Sequence, residues 1–267
     1  MTNSNSYPCG ESRKWFTHFS LRSMTALHVS SNPAVQLTDD ERRIITPSIQ
    51  QFQLGENSRG QHLLERGQKY GRVANDPLFA GALDIFIKEE QQHSRYLAAF
   101  MQSQAIPVVQ KHWVDTVFRR LRVLAGLELS LAVLVTAEFI AVPYYRALRA
   151  ATNSLTLKVI CTRILDDEAS HLKFQASMLA RVPGRRLETV QRMLTQLHFL
   201  FLLGTMLIVW FEHRRLFKVA GYTFQRFMGE TVVEFSAWSM ARLKLMKQSA
   251  VRREQIIKAY GRVEPEN

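Results

Sequence analysis

Two Glu-x-x-His pairs, Glu90 with His93 and Glu168 with His171, are the residues of this chain best placed to do chemistry. On a helix, positions i and i+3 lie about 60° apart around the axis, so each carboxylate projects together with its imidazole. Carboxylate oxygens are hard ligands that bridge two cations, and imidazole suits iron in both its common oxidation states. A two-metal centre needs further carboxylates, and the spacing offers them. Glu56 lies 34 residues before Glu90, and Glu138 lies 30 residues before Glu168. Each gap fits one helix, a turn and the returning helix. One Glu from each of two helices, with a Glu-x-x-His from each of two others, is the ligand set of a di-iron or di-manganese carboxylate centre. Four carboxylates neutralise a pair of divalent cations, so such a site persists in an apolar core. One pair alone is a weak signal, because helices are rich in Glu and a His on an apolar face is usually a core residue. Two pairs, each preceded by a Glu in buried phase, make a strong one.

The elements that must carry these residues read as helices. Thr38-Asp-Asp-Glu41 is a capping box opening a short helix, which Pro47 is expected to stop. Pro47, with Thr46 as cap, then opens a helix over 47–73. Ile49, Phe52, Glu56, Leu63, Gly67 and Tyr70 fall near one face of it. Glu65 is about 180° away from Glu56 and should face solvent, which selects Glu56 as the ligand. Asp76-Pro77 opens a helix over 77–103 on which Glu90 and His93 interrupt an apolar stripe of Leu83, Phe86, Leu97 and Phe100. A polar connection over 102–111 leads to a basic amphipathic piece over 113–124. The next helix, 126–152, holds Glu138 alone in an apolar run from Val133 to Val142. An ionised carboxylate there costs several kcal/mol unless it is paired or bound to metal. Pro143 should kink this helix by removing a backbone donor. Asn153-Ser154 caps a helix over 155–181 that carries Cys161, Ile164, Leu165, Glu168, His171 and Gln175 on one face, and Pro183-Gly184 ends it. Cys161 reads as a core thiol. The two Glu-x-x-His units thus form a pseudo-repeat of helix pairs.

Outside this region the signals are weaker. Residues 1–36, rich in Ser and Asn, read as loosely ordered, with Trp15 to Leu21 able to dock on the helices. No apolar signal core follows the first Met, so a secretory leader is not expected. A helix over 186–215 carries an uncharged run of 19 residues from Met193 to Phe211. That length is near the minimum for a membrane span; a buried helix or a homodimer contact is favoured over membrane association. A last helix is expected over 218–250, breaking near Gly229, with a frayed tail over 251–267. The organisation expected is therefore a loose segment 1–36, a helical bundle 37–182, accessory helices 183–250 packed on it and the tail 251–267. The net charge is +12, and residues 181–267 hold 15 Lys and Arg against 7 Glu. Such a basic end can meet nucleic acid, an anionic membrane face or an acidic carrier protein. No nucleic-acid motif with interleaved aromatics is present, which makes nucleic acid the weaker partner. Cys9 and Cys161 lie in unlike contexts, so no disulfide is expected, in keeping with a reducing compartment.

The constellation resembles the ferritin-like superfamily of di-iron carboxylate proteins, which includes ferritins, rubrerythrins, acyl-carrier-protein desaturases and several small hydroxylases. The resemblance covers roughly residues 47–181. It implies an all-α fold: a ferritin-like four-helix bundle, here with additional C-terminal helices. It implies two iron ions, or manganese in their place, held by Glu56, Glu90, His93, Glu138, Glu168 and His171. In such proteins an acidic residue just before the motif Glu often holds the His of the opposite pair; here these are Glu89 and Asp167, which would fix the imidazole tautomers. Three subfamily marks are missing. A second Glu three positions after Glu138 is replaced by Ala141, a Thr four positions after it by Val142, and a His four before Glu168 by Ile164. Two cysteines also cannot build a four-cysteine rubredoxin site. The function this implies is a cytoplasmic oxidoreductase, with membrane association through 193–211 as an option, that activates O2 to hydroxylate, desaturate or oxidise an organic substrate with an apolar part, fed by an electron-donor protein. Phe86, Leu97, Phe139 and Leu165 are expected to line the substrate space. The alternatives are an iron-handling protein, ferroxidase or store, without organic substrate, and a metal-free structural bundle.

Overall fold

The computed structural model describes residues 7–25, 27, 29, 36–58, 60–124, 126–182 and 188–260, and among these it is all-helical. The helices are α1 (Tyr7–Ser23), α2 (Asp39–Glu56), α3 (Gln61–Val73), α4 (Pro77–Ser103), α5 (Trp113–Leu124), α6 (Leu127–Ala150), α7 (Leu155–Arg181), α8 (Glu188–Val219) and α9 (Phe224–Tyr260). The central packing joins α6 to α7 and α4 to α2, α3 and α7; α1 lies on α4, α9 on α6 and α7, and α8 on α2 and α6.

The helix ends follow local chemistry. Thr38 and Glu41 make the reciprocal capping box: the Glu41 amide donates to Thr38 Oγ1 at 3.2 Å and the Thr38 amide donates to Glu41 Oε2 at 2.9 Å. Pro77 occupies the first turn of α4, where its missing N–H has no cost. Ser154 Oγ accepts from the Leu157 amide at the start of α7.

Three expectations about continuity are corrected. Pro47 does not stop a helix; α2 runs through it. Ile45 and Ile49, both fully buried, anchor the helix on either side of the proline, and that packing outweighs the roughly 3 kcal/mol a helix-interior proline costs. The helix expected over 47–73 is instead two helices that part directly after Glu56. Gly60, in the gap, has φ of 62°, and a Cβ there would come within 2.8 Å of Ile87. Arg119 on α5 donates to the carbonyls of Leu54 and Asn57 at 3.3 and 3.2 Å, placing a cation at the C-terminal end of α2, where the helix dipole favours one. Finally, α9 passes Gly229 unbroken, because Phe227, Thr231, Phe235 and Trp238 bury one continuous face around it. The chain reverses between α8 and α9 at Gly221, whose φ is 75°. Pro143 lies inside α6 without ending it.

The ends of the chain are more ordered than their composition suggested. Within 1–36, Tyr7–Ser23 is a helix. Trp15 and Phe19 are buried, and Phe19 meets the rings of Phe174 at 5.0 Å and Phe86 at 6.1 Å. In place of a frayed tail, α9 continues to Tyr260. The turn expected at Pro183-Gly184, the residues 261–267 and the side chain of Cys9 lie outside the described residues.

Among the described residues, two helices are long and apolar enough to cross a membrane. In α6 the apolar window is 72% buried, so its composition is that of a core helix; in α8 it is 22% buried, which leaves an apolar surface facing outward.

Two buried histidines couple stability to pH. His213 Nδ1 lies 2.8 Å from Ser48 Oγ, and burial pushes its pKa down to about 3. The Thr136 hydroxyl donates to the Ala132 carbonyl and so receives the Nε2–H of His198, whose pKa burial lowers to about 4. Below the unfolded value of about 6.5 the unfolded chain binds protons that these rings refuse, so stability falls as pH drops from there. His213→Gln is expected to remove about 2 kcal/mol of the loss between pH 7 and pH 5, read as a flatter dependence of metal-free unfolding on pH.

Candidate metal centre

The side chains of Glu56 (the last residue of α2), Glu90 and His93 (α4), Glu138 (α6) and Glu168 and His171 (α7) converge between their helices. They form two groups with ligand atoms within 4.8 Å of one another: Glu56, His93 and Glu168 in one, and Glu90, Glu138, Glu168 and His171 in the other. Glu168 belongs to both. Its Oε1 lies 3.8 Å from His93 Nδ1 and its Oε2 3.5 Å from His171 Nδ1. Glu90 Oε1 also stands between the rings, 2.8 Å from His171 Nδ1 and 3.9 Å from His93 Nδ1. Glu65, excluded by helix phase, is solvent-exposed.

Outer contacts orient this set. Glu89 Oε2 lies 2.9 Å from His171 Nε2, and Asp167 Oδ2 lies 3.1 Å from His93 Nε2. A carboxylate accepts only, so each Nε2 carries a proton and each Nδ1 faces inward, where it would give its lone pair to a cation. The Tyr145 hydroxyl donates to Glu56 Oε1 at 2.7 Å, and Gln175 Nε2 donates to Glu138 Oε1 at 2.8 Å. Burial, and then the charge of Glu56, push the Tyr145 phenol well above its ordinary value, so it keeps its proton.

The donor set fits metal. Glu90 Oε1, both Glu168 oxygens, His93 Nδ1 and His171 Nδ1 are buried without a hydrogen-bond partner. Orphaned buried polar atoms are rare because each costs about 1–3 kcal/mol. Five of them pointing at one another are explained if cations complete the cluster. Without metal, protons do part of that work. Burial, then the Glu138 charge, raise Glu168 well above the carboxylate range, and burial with Glu90 and Glu138 does the same to Glu56. Burial would lower His171, but Glu90, Glu138, Glu168 and Glu89 together hold it well above its usual value. Burial would likewise raise Glu138, yet its contacts with Glu168, His171 and Gln175 keep it low. Cations would displace these protons.

Sequence reasoning missed the residues that tie the centre to α1. Arg22 donates from Nη2 to Asp167 Oδ1, and its Nε lies 3.6 Å from Glu89 Oε1. One guanidinium therefore touches both carboxylates that hold the histidines. Arg163, one turn before Asp167, adds a 2.9 Å bond. Burial would raise Asp167, but His93, Arg22 and Arg163 hold it far below its usual value. The one available signal was the i, i+4 spacing of Arg163 and Asp167; nothing near Arg22 in the sequence marks it. Arg22→Ala is expected to weaken metal binding about 10- to 100-fold with the helical spectrum retained, as read by competition against a coloured chelator.

A cavity of about 320 Å³ is lined by Glu56, Glu90 and Glu138 but by neither histidine; the His171 ring packs on Phe19 and Phe86. Phe52, Phe86, Ile87, Phe118, Val133 and Ile140 give it an apolar wall. Of the residues expected to line it, Phe86 does. Phe139, Leu97 and Leu165 do not: Phe139 packs on Phe235 and Trp238 of α9, Leu97 is buried in the core and Leu165 is packed against the core. Beside the gap after Glu56 its lining includes Gly55, Gln61 and His62, which are exposed. Cys161 is fully buried, and burial pushes its thiol up, so it is an inert core residue.

Comparison of the chain with protein-family models, with curated proteins and with solved structures gives no match.

Proposed function

We propose that this chain is a ferritin-like di-iron oxidoreductase that uses O2 to oxidise an apolar organic molecule. The observation that carries the reading is the set of five partnerless buried ligand atoms in two groups that share Glu168. Four carboxylates and two imidazoles are the donors that iron takes in such centres, with manganese the alternative. When bound, two iron ions would supply the electrons that reduce O2.

The rest falls to the chain's own residues. Glu89 and Asp167 keep the proton of each histidine on Nε2 and so present Nδ1 to the centre. Tyr145 and Gln175 hold Glu56 and Glu138 in place on the cavity side. Phe52, Phe86 and Val133 exclude water and bind the apolar part of the substrate beside those carboxylates. If the reaction is a hydroxylation, a substrate C–H bond and O2, with two electrons and two protons, yield an alcohol and water. The electrons come from a donor protein. A store of iron would need no apolar cavity beside its ligands, and the cavity is what favours an organic substrate.

The test is O2 uptake by protein loaded anaerobically with ferrous iron, with and without a panel of apolar substrates. Uptake that one class of substrate accelerates, and that Glu138→Ala abolishes, is the expected outcome. No uptake by protein shown to hold iron would end the oxidoreductase reading.

A further inference from the structure

The outward side of α8 has no place in the chemistry above. Between Met193 and Phe211 the only polar residue open to solvent is Gln196, while Leu197, Leu200, Leu207 and Phe211 are 54, 60, 44 and 63% exposed. Of the half-exposed positions flanking this stripe, Leu194, Phe199, Phe201, Leu203, Ile208 and Trp210 are apolar, and Thr195 and His198 are polar. Helix α5 lies alongside: the Trp113 indole is 3.3 Å from Glu212, and Phe118 meets Phe201 at 5.9 Å. It adds Trp113, Val117 and Leu121, one turn apart and all exposed. Exposed bases border the patch, with Arg214, Arg215 and Lys218 after it and Lys111 and Arg120 on the α5 side.

We propose that the α5–α8 face docks this protein in the plane of an anionic lipid leaflet. An apolar centre with a basic border is what a leaflet of negative surface potential binds: apolar side chains enter the acyl boundary while Arg and Lys stay at the headgroups. The net charge of +12 adds attraction at a distance. The helix lies along the surface rather than across it, because its other side, including Leu202 and Met206, is buried against the bundle. The other candidate occupant is a second copy. Exposed positions 193, 197, 200, 204, 207 and 211 do alternate by four and three, as a coiled-coil seam does. Such a seam in water needs charged flanks and a polar rim, and no charge occurs from Met193 to Phe211. The cavity is lined in part by Val114, Phe118 and Arg119 of α5 and by Thr205 and Val209 of α8, the two helices of this face. A bilayer-resident molecule would therefore have a short way to the ligands; that consequence rests on the oxidoreductase reading, whereas docking does not.

The experiment is co-sedimentation of the full chain with phosphatidylcholine vesicles, plain or with about a third phosphatidylglycerol. Binding to the anionic vesicles, weakened by salt, is expected. Leu200→Glu with Leu207→Glu should lower partitioning about tenfold or more while the melting curve stays in place. Should that variant misfold, Arg214→Glu with Arg215→Glu, which alters only exposed bases, should lower binding to anionic vesicles alone. The metal-ligand variant Glu168→Ala should bind vesicles as well as the unaltered chain, so a failed metal site and a failed docking face are told apart. Docking is overturned by absence of vesicle binding, by leucine variants that bind undiminished, or by a solution dimer that the leucine variant turns into a monomer.

Discussion

Glu168→Ala is expected to take bound metal from about two ions per chain to nearly none, whereas Glu56→Ala should keep about one. The difference follows from geometry. Glu168 is the residue common to both groups, with one oxygen toward each histidine. Glu56 belongs to one group only. Losing a shared carboxylate removes a donor from each cation and the charge that lets the two sit close together. Metal analysis of both variants after reconstitution and removal of loose ions decides the point. A Glu168→Ala protein that still holds one tight ion would show that the two positions are independent. The metal-free variant should fold no worse than its parent. Burial and the Glu138 charge already keep Glu168 protonated, so the substitution removes a group that costs free energy in the empty core.

The second large effect is on stability. Without metal the centre keeps five buried atoms without partners and a set of crowded carboxylates. A cation that binds only the folded state stabilises it by mass action, by about 4 kcal/mol at a thousand times its dissociation constant. For a chain of this size that is roughly a 10 °C rise in melting temperature. Calorimetry with ferrous or manganous ion, and then with excess chelator, should show the rise and its reversal. The gain should shrink as pH falls. Glu56, Glu168 and His171 all hold protons more tightly than usual in the empty centre, so binding must release them, and acid favours the protonated form. Equal melting temperatures with and without metal would contradict the assignment of the cluster as a metal site.

What the sequence made legible is what is local. Glu90 with His93 and Glu168 with His171 are neighbours on one helical turn, and their pairing survives any arrangement of the rest. The bounds of α4 and α7 were legible because Pro77 and Ser154 act on the backbone beside them. What stayed hidden depends on contacts distant in sequence. Arg22 reaches Asp167 across 145 residues; the docking of Trp15 to Leu21 was legible from its aromatics, but nothing there marked Arg22. The gap after Glu56 is set by Gly60 against Ile87 and by Arg119 against the end of α2; within 47–73 the cluster Gly55, Asn57, Ser58 and Gly60 was its local signal, which the continuous apolar face outweighed. The cavity is lined from α2, α4, α5, α6 and α8 together, so it was not legible, whereas the six side chains that converge were. Phe139 fails for a simpler reason. Next to Glu138 in sequence, it is about 100° around the helix from it, and that rotation turns it toward α9.

The most direct test is a crystal of the metal-reconstituted protein with diffraction recorded at the iron absorption edge. The account predicts two anomalous peaks about 3.5–4 Å apart, one beside Glu56 and His93, the other beside Glu90, Glu138 and His171, with Glu168 between them. A single peak, or peaks away from these six side chains, would contradict it.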